Sequence, residues 1–173
     1  MGTVPTPVLP GSGTAAASSQ PTSWCNVMNF LLQPPSCRVR MTTSTAFASG
    51  TNPILWNAED WDIVQSGDSP MHDTSTNTDK LYIRTPGRYR VQAIVSLSAA
   101  AAIFAVNIAL YKNATQYDTN WLGVATNTPY TAIIADEVQC ATGDYLSIQV
   151  NTTADLNIRG DIQCSFVATW VSN

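Results

Sequence analysis

Charge is scarce in this chain. Asp, Glu, Lys and Arg make up 12% of its 173 residues, about half the share usual in a globular domain. The eight basic residues are scattered and the net charge is −4. Binding of nucleic acid needs clustered Lys and Arg against phosphates, so no nucleic-acid partner is expected. There is one histidine, His72, so a Ser-His-Asp triad could be built only through it. Cys25, Cys37, Cys140 and Cys164 form no Cys-x-x-Cys pair, which removes the spacing that zinc sites and thioredoxin-type redox chemistry use. The glycines are dispersed at turns and make no phosphate-cradling loop. The longest apolar run, around 96–105, is Ala-rich and falls short of the ~20 residues needed to span a bilayer. The opening MGTVPTPVLPGSG has neither a basic nor an apolar segment of a secretory leader. No membrane partner is expected, and the product is expected to be made in a cytoplasm and to stay soluble. Coiled-coil heptads are absent as well.

What is present divides into three parts. Residues 1–22 are a Pro-, Thr-, Ser-, Ala- and Gly-rich arm, too poor in apolar surface to offset its own ordering entropy. Residues 23–35 read as a short helix with Thr22 or Ser23 as its cap and Pro34-Pro35 as its stop. Trp24, Val27, Met28, Leu31 and Leu32 recur at helical spacing and form its apolar, anchoring face. So short a helix must pack on something. Its own domain and a neighbouring subunit are both open as that surface.

From Cys37 onward the apolar period changes to two. Arg38, Arg40 and Thr42 alternate with Val39 and Met41, Ile54-Leu55-Trp56 enters a second strand, and Leu81 and Ile83 mark another. Between them, a polar loop runs through Glu59, Asp60, Asp62, Asp68 and MHDTSTNTD. After Pro86-Gly87, the side chains of Tyr89, Val91, Ala93, Val95 and Leu97 share one face, the alternation of a half-buried antiparallel strand. Phe104, Val106, Ile108 and Leu110 give the next core face, and Lys112-Asn113-Ala114 a hairpin turn. Further strands are expected at 130–134, 138–140, 146–150 and 164–170. About eight short strands with turns between them, and no helix after residue 33, predict an all-β sandwich or jelly roll over 36–173.

Candidate sites are few. Ala105, Asn107, Ala109 and Tyr111 form a small, nearly uncharged strand face of the kind found between subunits. The acidic residues Asp60, Asp62, Asp68 and Asp73 are the best oxygen ligands for calcium. They fit no EF-hand spacing, so no metal or other cofactor is assigned. Trp56, Trp61, Tyr117, Trp121 and Tyr130 could offer a platform to a host-surface glycan, or could belong to the core or to a seam between subunits. His72, followed by Asp73 in a Ser/Thr-rich loop, is explained by local hydrogen bonding without catalysis. The chain is therefore not expected to be an enzyme. Without a secretory route, reduced thiols are expected, with a disulfide as the other possibility.

Three stretches, PGRYRVQAIVSL, VNIALYKNAT and GDYLSIQV with the closing SFVATW, together resemble the globular-head family of complement and tumour necrosis factor. That resemblance implies a ten-strand jelly roll over about residues 37–173, assembled as a homotrimer. NFLLQPP, WNAEDWD and MHDTSTNTDKLYI together are similar to phage-encoded proteins that join a short helix to this jelly roll. The resemblance implies a virion surface protein of a bacteriophage: a capsid decoration or head-fibre trimer held to the major capsid or another virion protein through residues 1–35. A tail-associated, receptor-binding trimer is the alternative. The Gly-x-y stalk of the animal proteins is missing, which leaves the arm and helix as the anchor.

Overall fold

The computed structural model describes residues 19–99, 104–124, 129–160 and 164–172. These described residues form one helix, α1 (Ser19–Leu32), and twelve strands: β1 (Ser36–Arg40), β2 (Thr45–Phe47), β3 (Gly50–Pro53), β4 (Ala58–Ile63), β5 (Lys80–Tyr82), β6 (Gly87–Ala99), β7 (Phe104–Lys112), β8 (Thr115–Val124), β9 (Pro129–Cys140), β10 (Tyr145–Thr152), β11 (Leu156–Ile158) and β12 (Ser165–Ser172). All pairings are antiparallel. In the first sheet β4, β1, β12, β6 and β9 lie side by side, and β11 and β2 extend it beyond the end of β12. In the second, β10 pairs with β3 and β5 along one side and with β7 on the other, and β8 follows β7. These two sheets close on each other as a jelly roll.

The core is the set of alternate positions that the sequence marks. Tyr89, Val91, Ala93, Val95 and Leu97 of β6 are buried against Val106, Ile108 and Leu110 of β7 and Leu146, Ile148 and Val150 of β10, with Phe166 and Ala168 of β12. Trp56 and Phe166 stack in its middle with ring centres 5.8 Å apart. Cys37, Cys140 and Cys164 are buried inside this core. Burial drives the Cys140 thiol up to about 11, so it behaves as a small apolar group.

Several sequence expectations are corrected by the fold. Ala58–Ile63 is strand β4 rather than loop. It is an edge strand beside β1, and Asp60 pairs there with Arg38 and Arg40. Charge complementarity replaces apolar alternation along that edge, so the period of two is hidden. Ile54-Leu55-Trp56 is a crossing segment between β3 and β4 and not a strand. Its N–H groups at Ile54 and Trp56 donate to Ile148 and Thr78 carbonyls, which satisfies the buried backbone. Tyr130–Ile134 and Val138–Cys140 fuse into the single strand β9. The helix is already formed at Ser19, so neither Thr22 nor Ser23 is its cap, and Pro21 sits in the first described turn, where a missing N–H is harmless.

At the other end, α1 stops with Gln33 N–H donating to the Asn29 carbonyl, and Pro34-Pro35 forbids another turn. It closes one end of the sandwich through Phe30, which is 1% exposed. That ring meets Trp170 edge-on, 4.6 Å between centres. Trp170 is fixed in turn, its indole N–H donating to Pro86 O and its backbone N–H to Pro35 O. Gly87 has φ of +143°, and a Cβ there would lie 2.2 Å from the Trp170 indole nitrogen. Only glycine leaves room for that ring.

Candidate functional site

The acidic residues do not converge. Asp60 is taken by Arg38 and Arg40. Asp62 faces the core side of β4 and accepts the His72 N–H at 2.9 Å. Burial lifts its carboxyl above the usual range, against the N–H groups of His72 and Met71 that lower it. Asp68 lies in the turn whose N–H returns to Gln65 O. Asp73 caps its own loop, accepting from the side chains and N–H groups of Ser75 and Thr76, first among them the Ser75 hydroxyl, which holds its carboxyl well below the ordinary range. Among the described residues no three His, Cys, Asp or Glu side chains are placed to hold a metal ion.

His72 is a structural clasp. Its side chain is fully buried, with Nδ1 2.9 Å from Glu59 and Nε2 3.2 Å from the Thr78 carbonyl. Both ring nitrogens are thus used to pin the polar loop onto β4. Cys37, opposite Asp62 in the β1–β4 register, has its thiol pushed up by burial first and then by the charges of Asp62 and Glu59. A thiol so held is neither a nucleophile nor a metal ligand at neutral pH. A recess of about 360 Å³ borders this loop, lined by Glu59, Pro70, His72, Asp73 and Arg84. Its polar groups already serve the loop: Arg84 Nε donates to Pro70 O at 2.8 Å.

The exposed faces are more informative. On the outer face of the first sheet, register places Val167, Gln92 and Ala135 in one row and Ser165, Ile94 and Ile133 in the next. Ile133 is 49% exposed. Charged groups lie at the margins of this face, with Arg38, Arg40 and Asp60 along the β1–β4 edge and Arg88 and Arg90 with Glu137 at one end. The centre is uncharged.

The strand face singled out in the sequence, Ala105, Asn107, Ala109 and Tyr111, lies on the outer side of the second sheet. Asn107 and Ala109 are buried there by flanking side chains, Tyr111 is half-buried and Ala105 is exposed. The apolar members of the first-sheet face, Ile94, Ile133 and Val167, sit on three strands far apart in sequence, so no local pattern announces their grouping. Strand pairing alone brings them together.

Of the helix residues, Trp24 lies outside those whose side chains are described. Val27 is half-buried, while Met28, Leu31 and Leu32 are 58, 67 and 74% exposed. Phe30, absent from the expected face, makes the contact to the domain. The aromatic set also divides. Trp56 is buried, Tyr130 is half-buried, Trp61 lies beside the Arg38 guanidinium with 5.5 Å to its ring centre, and Tyr117 OH reaches Glu137 O. Trp121 stands 63% exposed on the second sheet.

No helix among the described residues is long and apolar enough to cross a membrane. No family model matches the sequence, and no curated protein matches it. Solved structures do match in fold. The tumour necrosis factor Eiger from S. frugiperda superposes with a TM-score of 0.62 at 14% identity, over 80% of this chain and 94% of that one. The globular domain of zebrafish complement 1qA superposes with a TM-score of 0.55 at 12% identity, over 80% of this chain and 99% of that one. The chain therefore has the jelly-roll fold shared by tumour necrosis factor and the complement globular head.

Proposed function

We propose that this chain is a non-catalytic structural protein whose jelly rolls associate as a homotrimer on the surface of a bacteriophage virion. The observation that carries self-association is the uncharged centre of the first-sheet face, where Ile94, Ile133 and Val167 lie together and charge is confined to the margins. Apolar area of this kind contributes roughly 25 cal/mol per Å² when covered, less the cost of association. The margins fix register, since a misplaced copy would bring Arg90 or Arg38 onto the apolar centre.

Residues 1–35 are the proposed anchor to the major capsid protein or another virion protein. Met28, Leu31 and Leu32 support this reading: Phe30 fastens α1 to the domain, while these three apolar side chains are exposed. The virion as the particle is supported by the resemblance of NFLLQPP and the stretches after it to phage-encoded surface proteins, and the head as the location by a short chain without the coiled-coil heptads of long tail fibres. Heads held this way would decorate or stabilise the shell. A second reading, a tail-borne trimer that contacts a host-surface glycan, is favoured by the exposed Trp121.

Reconstruction of the intact particle by electron cryomicroscopy tests both readings. Threefold heads distributed over the capsid support the first, and threefold density confined to the tail supports the second. Single, unpaired heads would overturn the trimer, and particles without the chain would overturn the virion assignment.

A further inference from the structure

We infer that the outer face of the second sheet is a binding platform for a neutral oligosaccharide, centred on Trp121. Register sets Trp121 of β8 directly opposite Asn107 of β7, Asn107 opposite Asn151 of β10, and Asn151 opposite Thr51 of β3. Thr119 and Gln149 occupy the adjoining row on either side of Ala109. The result is an indole in solvent beside a line of amides and hydroxyls, without a charged side chain in these two rows. Ala105 and Gly123, paired one step further along, are too small to crowd the ring.

Asn107 is the second, independent observation. It is 6% exposed, and the Thr119 hydroxyl donates to its Oδ1, which fixes the amide plane. Among the described residues nothing pairs with its Nδ2. A nearly buried amide with spare N–H groups, held next to an open aromatic face, has the chemistry that recognises a sugar. The apolar C–H face of a pyranose lies on the indole, and ring hydroxyls exchange hydrogen bonds with Asn107, Asn151 and Gln149. The absence of charge selects neutral sugars over uronic or sialic acids. This face is opposite the one proposed for self-association and stays in solvent in a trimer. The inference rests on that reading only for the number of platforms per particle, from which avidity follows.

The test titrates the full-length chain with four probes and follows intrinsic fluorescence and indole N–H resonances. Three are neutral tetrasaccharides, of α-linked glucose, β-linked glucose and β-linked N-acetylglucosamine, and the fourth is a tetramer of galacturonic acid. At least one neutral probe is expected to shift the Trp121 indole signal. Trp121→Ala should weaken that binding about tenfold or more, Trp121→Phe should recover part of it, and Asn107→Ala should weaken it with the melting curve retained. Absence of binding by all neutral probes at ~10 mM, a concentration that would reveal even millimolar affinity, overturns the inference. So does tighter binding of the galacturonate, or binding that Trp121→Ala leaves intact. The mass of the same sample is read by light scattering. A monomer that binds sugar keeps the platform and sinks the trimer, whereas a trimer that binds none does the reverse.

Discussion

Replacing Phe30 by alanine should release α1 from the domain while leaving the jelly roll folded. The ring is almost completely buried and packs edge-to-face on Trp170 at 4.6 Å. Emptying such a site costs about 3–5 kcal/mol in a closed core, and the aromatic pair adds about 0.5–1.5 kcal/mol. Its neighbours offer little to compensate, because Met28, Leu31 and Leu32 are exposed in the intact molecule. A 14-residue helix is marginal without tertiary contacts. The loss therefore exceeds what holds the helix in place, and it appears as local opening before global unfolding. Hydrogen exchange read by mass spectrometry resolves the two. Amides at 26–32 should exchange about a hundredfold faster or more, the factor that corresponds to about 3 kcal/mol. Amides in the middle of β6 should remain strongly protected, because Tyr89, Val91 and Ala93 keep their partners. If 26–32 stayed as protected as in the parent chain, the single-anchor picture of α1 would be wrong. If β6 lost protection to the same degree, the helix would be part of the core and not a separable attachment.

Three further outcomes follow from particular contacts. Gly87→Ala should lower stability by about 1–3 kcal/mol in a thermal melt, since its Cβ would strike the Trp170 indole nitrogen and the Ser172 carbonyl; an unchanged melting temperature would show that the ring is free to move. Burial of Asp144 opposes ionisation, but the Ala141 N–H, Asn113 and Lys112 outweigh it and hold the carboxyl below its usual range. Its folded pKa lies below the unfolded one, so its contribution is complete above ~4 and is lost as the pH falls through the lower folded value. Asp144→Asn should flatten the stability profile in that acid window, and an unaltered profile would refute the assignment. Asp62 has the opposite sign: its raised folded pKa makes the charged form a burden once the pH rises above it. Asp62→Asn, which keeps an acceptor for the His72 N–H, should leave stability at pH 7 equal or higher, and a clear loss in a urea titration would contradict that.

The architecture was readable wherever alternation was strong. β6, β7, β10 and β12 each carry apolar side chains at every second position, and all four form the core as expected. Legibility failed at the edges. β4 reads as an acidic loop because its partners are Arg38 and Arg40 rather than apolar residues. β8, which the sequence did not mark, places Trp121 and Tyr117 outward and has little apolar surface to announce it. The candidate site divides for the same reason. Helical spacing identified Met28, Leu31 and Leu32, which lie at the surface, but the residue that docks the helix is Phe30, one position off that stripe. Spacing reports which side chains share a face, and it is silent about which face a domain will cover. The first-sheet face, made by pairing β12, β6 and β9, has no local signature at all.

The central claim is that the first-sheet face joins copies of the chain, and Ile133→Glu tests it most directly. Sedimentation equilibrium of the parent protein at micromolar concentration should give three times the 18.6 kDa of one chain. The variant, with a carboxylate facing Ile94 across the β6–β9 register, should sediment as a single chain with an unchanged strand spectrum by circular dichroism. A parent protein that sediments as one chain would contradict the account, and so would a variant that remains a trimer.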